Sequence, residues 1–196
     1  GLSFGQSSDL YFSMYAEGGS SNKFVEIYNG TGADVDLSMY SIQGTNNGTA
    51  WGVGSTGARD VTLSGILTDG DVYVIVDAAA DASILAVADL ALAYESPMSF
   101  NGDDAIGLFK NDGGGTFLPL DVIGVPDVDP GTAWAVAGVA NATQNHTLTR
   151  KTSVCGPNND WASSAGTDAN DSEWIVGAQD SGWGDLGAYV GCSTTP

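Results

Sequence analysis

Short runs of strand-forming residues, each followed by a turn signal, constrain this chain more than any other feature of its sequence. Val, Ile, Tyr, Phe and Thr are concentrated in nine segments of six to nine residues, which Gly, Asn and Asp separate. The predicted strands are "DLYFSMYAE" from Asp9, "KFVEIYN" from Lys23, "VDLSMYSIQ" from Val35, "DVTLSG" from Asp60, "DVYVIVD" from Asp71, "AIGLFKN" from Ala105, "FLPLDVIGV" from Phe117, "HTLTRK" from His146 and "EWIVGA" from Glu173. Nine short strands at this spacing favour an all-β sandwich or barrel.

One helix is predicted among the strands, at "ADASILAVADL" from Ala80. Ile84, Leu85 and Ala88 form one apolar stripe, and acidic residues stand at the start, where the helix dipole favours them. We expect this helix to cover an end or an edge of the sandwich.

The length and apolar content of the chain favour one domain over residues 1–196. A chain of 196 residues with 42% hydrophobic residues can bury a core of its own. The part from about 152 to 196 is expected to be a looser extension, because "CGPNNDWASSAGTDANDSEWIVGAQDSG" is rich in Asn, Asp, Ser and Gly and predicts turns with short strands only.

The charge balance disfavours several classes of partner. There are 24 acidic and 5 basic side chains, which give a formal net charge of -19. Direct binding of nucleic acid or anionic membranes is disfavoured unless divalent cations bridge the contact, because such affinity comes largely from Lys and Arg. No apolar run reaches the roughly 20 residues that span a bilayer. The acidity itself can serve solubility in a salty medium, Ca²⁺ binding or attraction to a basic partner.

Cys155 and Cys192, the only cysteines, predict one disulfide and an oxidising, secreted or cell-surface location. The bond would stabilise the fold by about 4 kcal/mol in the chain-entropy model and pin the loose segment to the C-terminus. Two buried free thiols are the alternative. The first ten residues contain no basic segment, and we expect any signal peptide to have been removed.

Catalytic chemistry has little support in the sequence. His146 is the only histidine, and it lies in the alternating strand "HTLTRK" without a nucleophile motif elsewhere. Carboxylate pairs are plentiful, yet nothing places two of them in one cleft. We therefore predict no catalytic residues.

Calcium is the better chemical hypothesis, because Asp and Asn oxygens are its preferred ligands. The densest set follows Cys155 and gives the predicted ligands Asn158, Asp160, Asp168, Asn170 and Asp171, with Asn159 and Glu173 close by. "DANDSE" begins like an EF-hand loop, but Glu173 stands where the turn Gly belongs. Turns whose side chains bond their own backbone are the alternative.

Two tryptophans on glycine-rich segments are candidate platforms for a sugar ring. Trp51 lies in "AWGVG" and Trp183 in "GWGDLG", whereas the other three tryptophans are expected to fill the core. A buried role for Trp51 and Trp183 is the alternative.

Five acceptor patterns for N-glycosylation occur, at Asn29, Asn47, Asn141, Asn145 and Asn170. They matter only in a eukaryotic secretory host. The pattern at Asn29 is first explained as a turn, because "NGTG" supplies the positive φ that a chain reversal needs.

The segments "EGGSSNKFVEIYNGTG" from Glu17 and "VDLSMYS" from Val35 resemble the opening of the lamin-tail domain family. These are immunoglobulin-like modules of nuclear lamins that recur in secreted microbial proteins. The likeness continues in "SGILTDGDVYVIV", "FNGDDAIGLFKN", "DVIGVPDVDPGTAW" and "HTLTRK", and covers about residues 9–182.

This resemblance implies an all-β, immunoglobulin-like β-sandwich without catalytic residues. In secreted bacterial proteins such domains often stand beside nucleases, phosphatases and other hydrolases. We therefore expect a non-catalytic binding or assembly module of a secreted or surface protein, whose partner is a neighbouring domain, a surface protein or a glycan. The alternatives are a Ca²⁺-dependent carbohydrate-binding domain and a self-associating extracellular structural protein.

Overall fold

The computed structural model describes residues 3–194. Its strands are β1 (Ser3–Phe4), β2 (Tyr11–Glu17), β3 (Lys23–Tyr28), β4 (Val35–Asp36), β5 (Tyr40–Gly44), β6 (Asp60–Thr62), β7 (Ile66–Leu67), β8 (Val72–Asp77), β9 (Leu90–Leu92), β10 (Ile106–Asn111), β11 (Phe117–Ile123), β12 (His146–Arg150), β13 (Trp174–Gly177) and β14 (Ser193–Thr194). The α-helices are α1 (Ala82–Leu85) and α2 (Trp161–Ala165), and single 3₁₀ turns span Leu37–Met39 and Trp183–Asp185.

Two sheets form the sandwich. One has six strands in the order β13-β12-β2-β3-β8-β9, and the other has four in the order β11-β10-β5-β6. Every pairing is antiparallel except that of β8 with β9. Two further ladders join β1 with β14 and β4 with β7. The predicted all-β, immunoglobulin-like β-sandwich is confirmed.

The core lies between the two sheets, and β3 shows how the sequence produces it. Val25 and Ile27 are fully buried among the residues between the sheets. Phe24 and Tyr28, which alternate with them, belong to a second apolar cluster on the other face of the six-stranded sheet. Because successive side chains of a strand point to opposite faces, a strand buried on both faces needs a cover on each side.

The outer cover is supplied by α1 and by the C-terminal segment 183–192. Ile84 of α1, Leu186 and Tyr189 pack in the second cluster. The fully buried Glu26 of β3 holds this cover, since its Oε2 accepts a hydrogen bond of 2.6 Å from the backbone N–H of Gly187. Burial raises the pKa of Glu26.

The predicted helix is much shorter than expected. Asp81 caps α1 by accepting from the N–H of Ser83, and the helix ends at Leu85. The N–H of Asp89 then donates to Val74 O at 2.9 Å, and the Asp89 carboxylate accepts from Val74 N at 2.8 Å. These two bonds hold the following residues against β8 as the short strand β9, so pairing at the sheet edge overrides helix propensity.

Two other local predictions are corrected. The expectation of a single helix missed α2, which Asp160 caps and Gly166 ends with a φ of 65°. The predicted strand from Val35 is broken, because Asp36 accepts a hydrogen bond from Ser38 N at 2.9 Å and starts a 3₁₀ turn.

Within residues 3–194, no helix has the length and apolar character needed to cross a bilayer.

Candidate functional site

A buried arginine anchors the loop that the sequence marked as acidic. Arg150, on β12, has no exposed side-chain surface, and its Nε donates to Phe12 O at 3.0 Å. One terminal nitrogen donates to Ser164 Oγ at 3.0 Å and to Glu173 Oε2 at 2.6 Å. The other donates to the carboxylate of Asp121 on β11. This network joins both sheets to α2 and to the start of β13.

The ion pair of Arg150 and Asp121 is fully buried. Burial raises the pKa of Asp121, while the guanidinium charge and backbone N–H donors from Asn158 and Phe12 oppose that rise. The guanidinium also lies over the Trp174 ring, 4.1 Å from its centroid. A buried pair with these additional partners fixes the loop geometry.

Two of the predicted calcium ligands serve the fold at the start of α2. Asn158 donates from its side chain to Glu173 Oε1 at 3.0 Å and from its backbone to Asp121 Oδ1 at 2.9 Å. Asp160 accepts from Ala162 N at 3.1 Å as the helix cap. Both residues therefore have structural roles, and that of Asp160 is the local side-chain-to-backbone bond that was the alternative to calcium.

The other three predicted ligands form a separate exposed turn. Asp171 Oδ1 accepts from the N–H groups of Thr167 and Asp168, each at 2.8 Å, and these bonds lower the pKa of Asp171. Asp168 in turn accepts from Asn170 N at 2.6 Å. Among residues 3–194, no three His, Cys, Asp or Glu side chains are grouped as a metal centre would require. Calcium binding stays a prediction.

Neither candidate platform is a freely exposed ring. Trp51 is half-buried, packs edge-on against Phe109 with centroids 5.3 Å apart, and lines a groove of about 320 Å³ with Trp161 and Pro126. Trp183 packs on the outer cluster, and its buried Nε1 has no acceptor in the described part of the chain. Stacking of a ligand on these two rings stays a prediction.

The predicted disulfide between Cys155 and Cys192 stays a prediction. Cys155 is half-buried, Cys192 is buried, and both are free thiols. The two thiols are neighbours and share a hydrogen bond. Burial and then this bond with Cys155 raise the pKa of Cys192 to about 12. The Cys192 thiol also lies 3.9 Å from Val154 O.

The acceptor pattern at Asn29 forms a turn, which was the first explanation of this pattern in the sequence. Asn29 is fully buried, and its Nδ2 donates to Ala33 O and to Leu67 O, both at 2.9 Å. Its Oδ1 accepts from Thr31 N at 3.1 Å, so the residues of the acceptor pattern stabilise the turn. The remaining four acceptor asparagines are exposed: Asn47, Asn141, Asn145 and Asn170.

Sequence reasoning missed a polar cleft of about 390 Å³. It opens between the β2–β3 turn, the β5–β6 connection, the end of β8 and the segment after β9. The lining contains four serines together with Lys23, Asn47, Arg59, Asp77, Tyr94 and Asn101. Two of the five basic residues of the chain lie in this cleft. The rarity of basic residues was the only signal in the sequence that could have pointed to it.

Both basic side chains of the polar cleft are held in place by the fold. Lys23 Nζ donates to Phe100 O at 2.5 Å and to Asn101 Oδ1 at 3.1 Å. Arg59 donates to Thr45 O at 2.6 Å and pairs with the buried Asp104 at 3.3 Å. The Nε of Arg59 is buried and has no acceptor within residues 3–194.

The sole histidine has a local role. His146 begins β12, and its Nδ1 lies 2.6 Å from Gln144 O, two residues earlier in the chain.

Comparison with known proteins relates the fold to one family. The family model described as the Lamin Tail Domain matches residues 5–125, which is more than half of the chain. The fold is similar to the crystal structure of a DUF4876 family protein from Bacteroides thetaiotaomicron, with a TM-score of 0.53 and 14% identity over 95% of this chain and 75% of that chain. At this identity the likeness concerns the fold alone. No curated protein matches the chain.

Proposed function

Because the chain belongs to the lamin tail domain family, we propose that it is a non-catalytic binding and assembly module of a secreted or cell-surface protein. Its partner is a neighbouring domain, a surface protein or a glycan. The family membership supports the scaffold, and the role is argued from the loops that the scaffold carries.

The observation that carries this proposal is the rigid anchoring of the loops beside the clefts. Arg150 bonds simultaneously to Asp121 on one sheet and to Glu173 and Ser164 in the loop region. The Trp51 groove includes residues 159–162, directly after Asn158 of this network. Loops held in one conformation lose little entropy on binding, so they suit recognition.

The acidic side chains support the same role. Asp121 and Glu173 neutralise Arg150, Asp160 caps α2, and Asp171 closes a turn. These carboxylates stabilise the backbone, whereas a hydrolytic pair must face one substrate. With a net charge of -19, the preferred partners are neutral or basic.

A substrate screen tests the non-catalytic part of this proposal. The purified chain is incubated with chromogenic phosphomonoester, phosphodiester and glycoside substrates, with and without Ca²⁺ or Mg²⁺. We expect no turnover above that of a protein-free blank. Turnover that rises in proportion to the protein concentration would overturn the proposal.

Assembly is tested by light scattering of the same protein with and without Ca²⁺. Growth of the particle mass with concentration supports self-association of the module. A strict monomer under both conditions restricts the module to binding other molecules.

A further inference from the structure

The polar cleft is preformed. Lys23 is buried and its ammonium group has three oxygen neighbours, Phe100 O at 2.5 Å, Asn101 Oδ1 at 3.1 Å and Glu17 Oε1 at 3.5 Å. Arg59, in the β5–β6 connection, is fixed by its hydrogen bonds to Thr45 O and to the Asp104 carboxylate. A volume of about 390 Å³ falls within the range of about 300–1,000 Å³ that small-molecule sites occupy.

Carboxylates neutralise both basic charges of the polar cleft. Lys23 pairs with Glu17, Arg59 pairs with Asp104, and Asp77 adds a further carboxylate to the lining. The cleft therefore offers no surplus positive charge to an anion, and the net charge of -19 repels anions from the whole surface. A neutral ligand needs no positive charge in the cleft and is not repelled by the net charge of the chain.

The lining combines hydrogen-bond donors and acceptors at short range. Asp77 Oδ1 accepts from Ala79 N at 2.8 Å, while its Oδ2 accepts no hydrogen bond from residues 3–194. The amide groups of Asn47 and Asn101 and four serine hydroxyls lie in the same lining. Hydroxyl groups of a ligand match such a surface, because each one both donates and accepts.

An aromatic ring completes the polar cleft. Tyr94 is 80% exposed, the largest exposed fraction among the large hydrophobic side chains of the described residues, yet it belongs to the lining. An exposed ring beside hydrogen-bonding groups offers an apolar face to the C–H groups of a bound ring and a polar edge to water.

We infer that the polar cleft binds a neutral carbohydrate, with Tyr94 packing on a sugar ring and Asp77, Asn47 and Asn101 bonding its hydroxyl groups. This site is distinct from Trp51 and Trp183, and the inference rests on the proposed function as a binding module. Lys23 and Arg59 act as positioning residues that hold Asn101 and the cleft wall.

A nuclear magnetic resonance titration of the full chain tests the inference. The probes are glucose, galactose, mannose, xylose, N-acetylglucosamine and their β-linked disaccharides, with glucuronate as the anionic comparison. We expect at least one neutral probe to shift the amide signals of Asn47, Asp77 and Asn101 in a saturable way, and glucuronate to shift them at least tenfold less at equal concentration.

Variants locate the binding. Tyr94→Ala removes an exposed ring and is expected to weaken binding at least tenfold, whereas Tyr94→Phe keeps the ring face and stays within about threefold of the original affinity. Asp77→Asn is expected to weaken binding at least fivefold. Leu118→Ala, an exposed apolar residue of β11 outside the polar cleft, is the matched control and leaves the affinity unchanged.

The inference is overturned if no neutral probe shifts the cleft signals, if the shifts map to the Trp51 groove instead, or if Tyr94→Ala binds like the original chain. Conversion of a probe, seen as new sugar signals in the same samples, would contradict the non-catalytic proposal separately. A failure of the inference is therefore distinguishable from a failure of the proposed function.

Discussion

Arg150 carries a positive charge into a position without solvent exposure, where its partners decide the cost of any substitution. We expect Arg150→Met to lower the free energy of unfolding by about 3–5 kcal/mol, because Asp121 would stay buried without its counter-charge. Urea unfolding measures this loss. The double variant Arg150→Met/Asp121→Leu should recover part of it, since the fully buried carboxylate is then removed as well, while Glu173, whose side chain is 24% exposed, still lacks its partner.

Lys110 provides the matched control for Arg150. It pairs with Asp9, but 44% of its side chain is exposed. Exposed pairs contribute about 0–1 kcal/mol, so Lys110→Met should lie in that range. A loss at Arg150→Met as small as that at Lys110→Met would show that the buried network does not anchor the loop.

Asn29 allows a second prediction for a single residue. After expression in a eukaryotic secretory host, we expect the folded product to carry no glycan at Asn29, because a glycan would remove Nδ2 from Ala33 and Leu67. Peptide mapping by mass spectrometry gives the answer. The exposed Asn141 and Asn145 are the comparison sites, and a folded product modified at Asn29 would refute the assignment of this turn.

Individual site residues were poorly predictable because hydrogen bonding depends on distant neighbours. Asn158 was predicted as a calcium ligand, but its backbone N–H donates to Asp121 on β11, which lies 37 residues earlier in the chain. The polar cleft was missed for the same reason, since Lys23, Asp77 and Tyr94 come from three separate segments. No local pattern connects residues that only the folded sheets bring together.

At the level of elements, the alternation of apolar residues located the strands well where both faces are covered. β2 and β3 are buried along their whole length. It failed where an element is very short: β9 has three residues and depends on the bonds between Asp89 and Val74, and α2 depends on its cap at Asp160. Such elements are fixed by tertiary contacts rather than by propensity.

The cover of the six-stranded sheet should respond to pH through Glu26. Its pKa is raised by burial from the ordinary 4.5, so the folded state holds a proton more firmly than the unfolded chain. The stability that this group contributes is fully present below about pH 4.5 and is lost as the pH rises through the folded value. Glu26→Gln has no proton to lose, and its stability relative to the original chain should increase from pH 4 to pH 7.

Urea unfolding of the two chains across that pH interval measures the difference. At pH 4 the Glu26 side chain is mostly protonated in both the folded and the unfolded state, so the curves there serve as the internal reference. A difference that stays constant with pH, or changes in the opposite direction, would mean that Glu26 is not the group that links the C-terminal segment to pH.

For the whole molecule, the matched family segment does not contain all of the sheet. The family match ends at residue 125, yet β12, from residues 146–150, lies between β2 and β13 in the six-stranded sheet. The remaining chain therefore belongs to the sandwich itself, and the C-terminal segment returns to cover the outer face and to pair β14 with β1. A covalent bond across this return should stabilise the entire fold.

Cys155 and Cys192 are placed to form that bond under oxidising conditions. Oxidised glutathione should react first at the half-buried Cys155, because the pKa of Cys192 is raised to about 12 and its thiolate is scarce. Cys192 then displaces the glutathione, loses its proton and closes the disulfide. We expect a stabilisation of about 4 kcal/mol, measured by urea unfolding with and without reductant, and a loss of two hydrogen atoms by mass spectrometry. Cys155→Ser is the control and should show neither change. If the oxidised chain is no more stable than the reduced chain, the prediction that this bond pins the C-terminal segment to the sandwich is wrong.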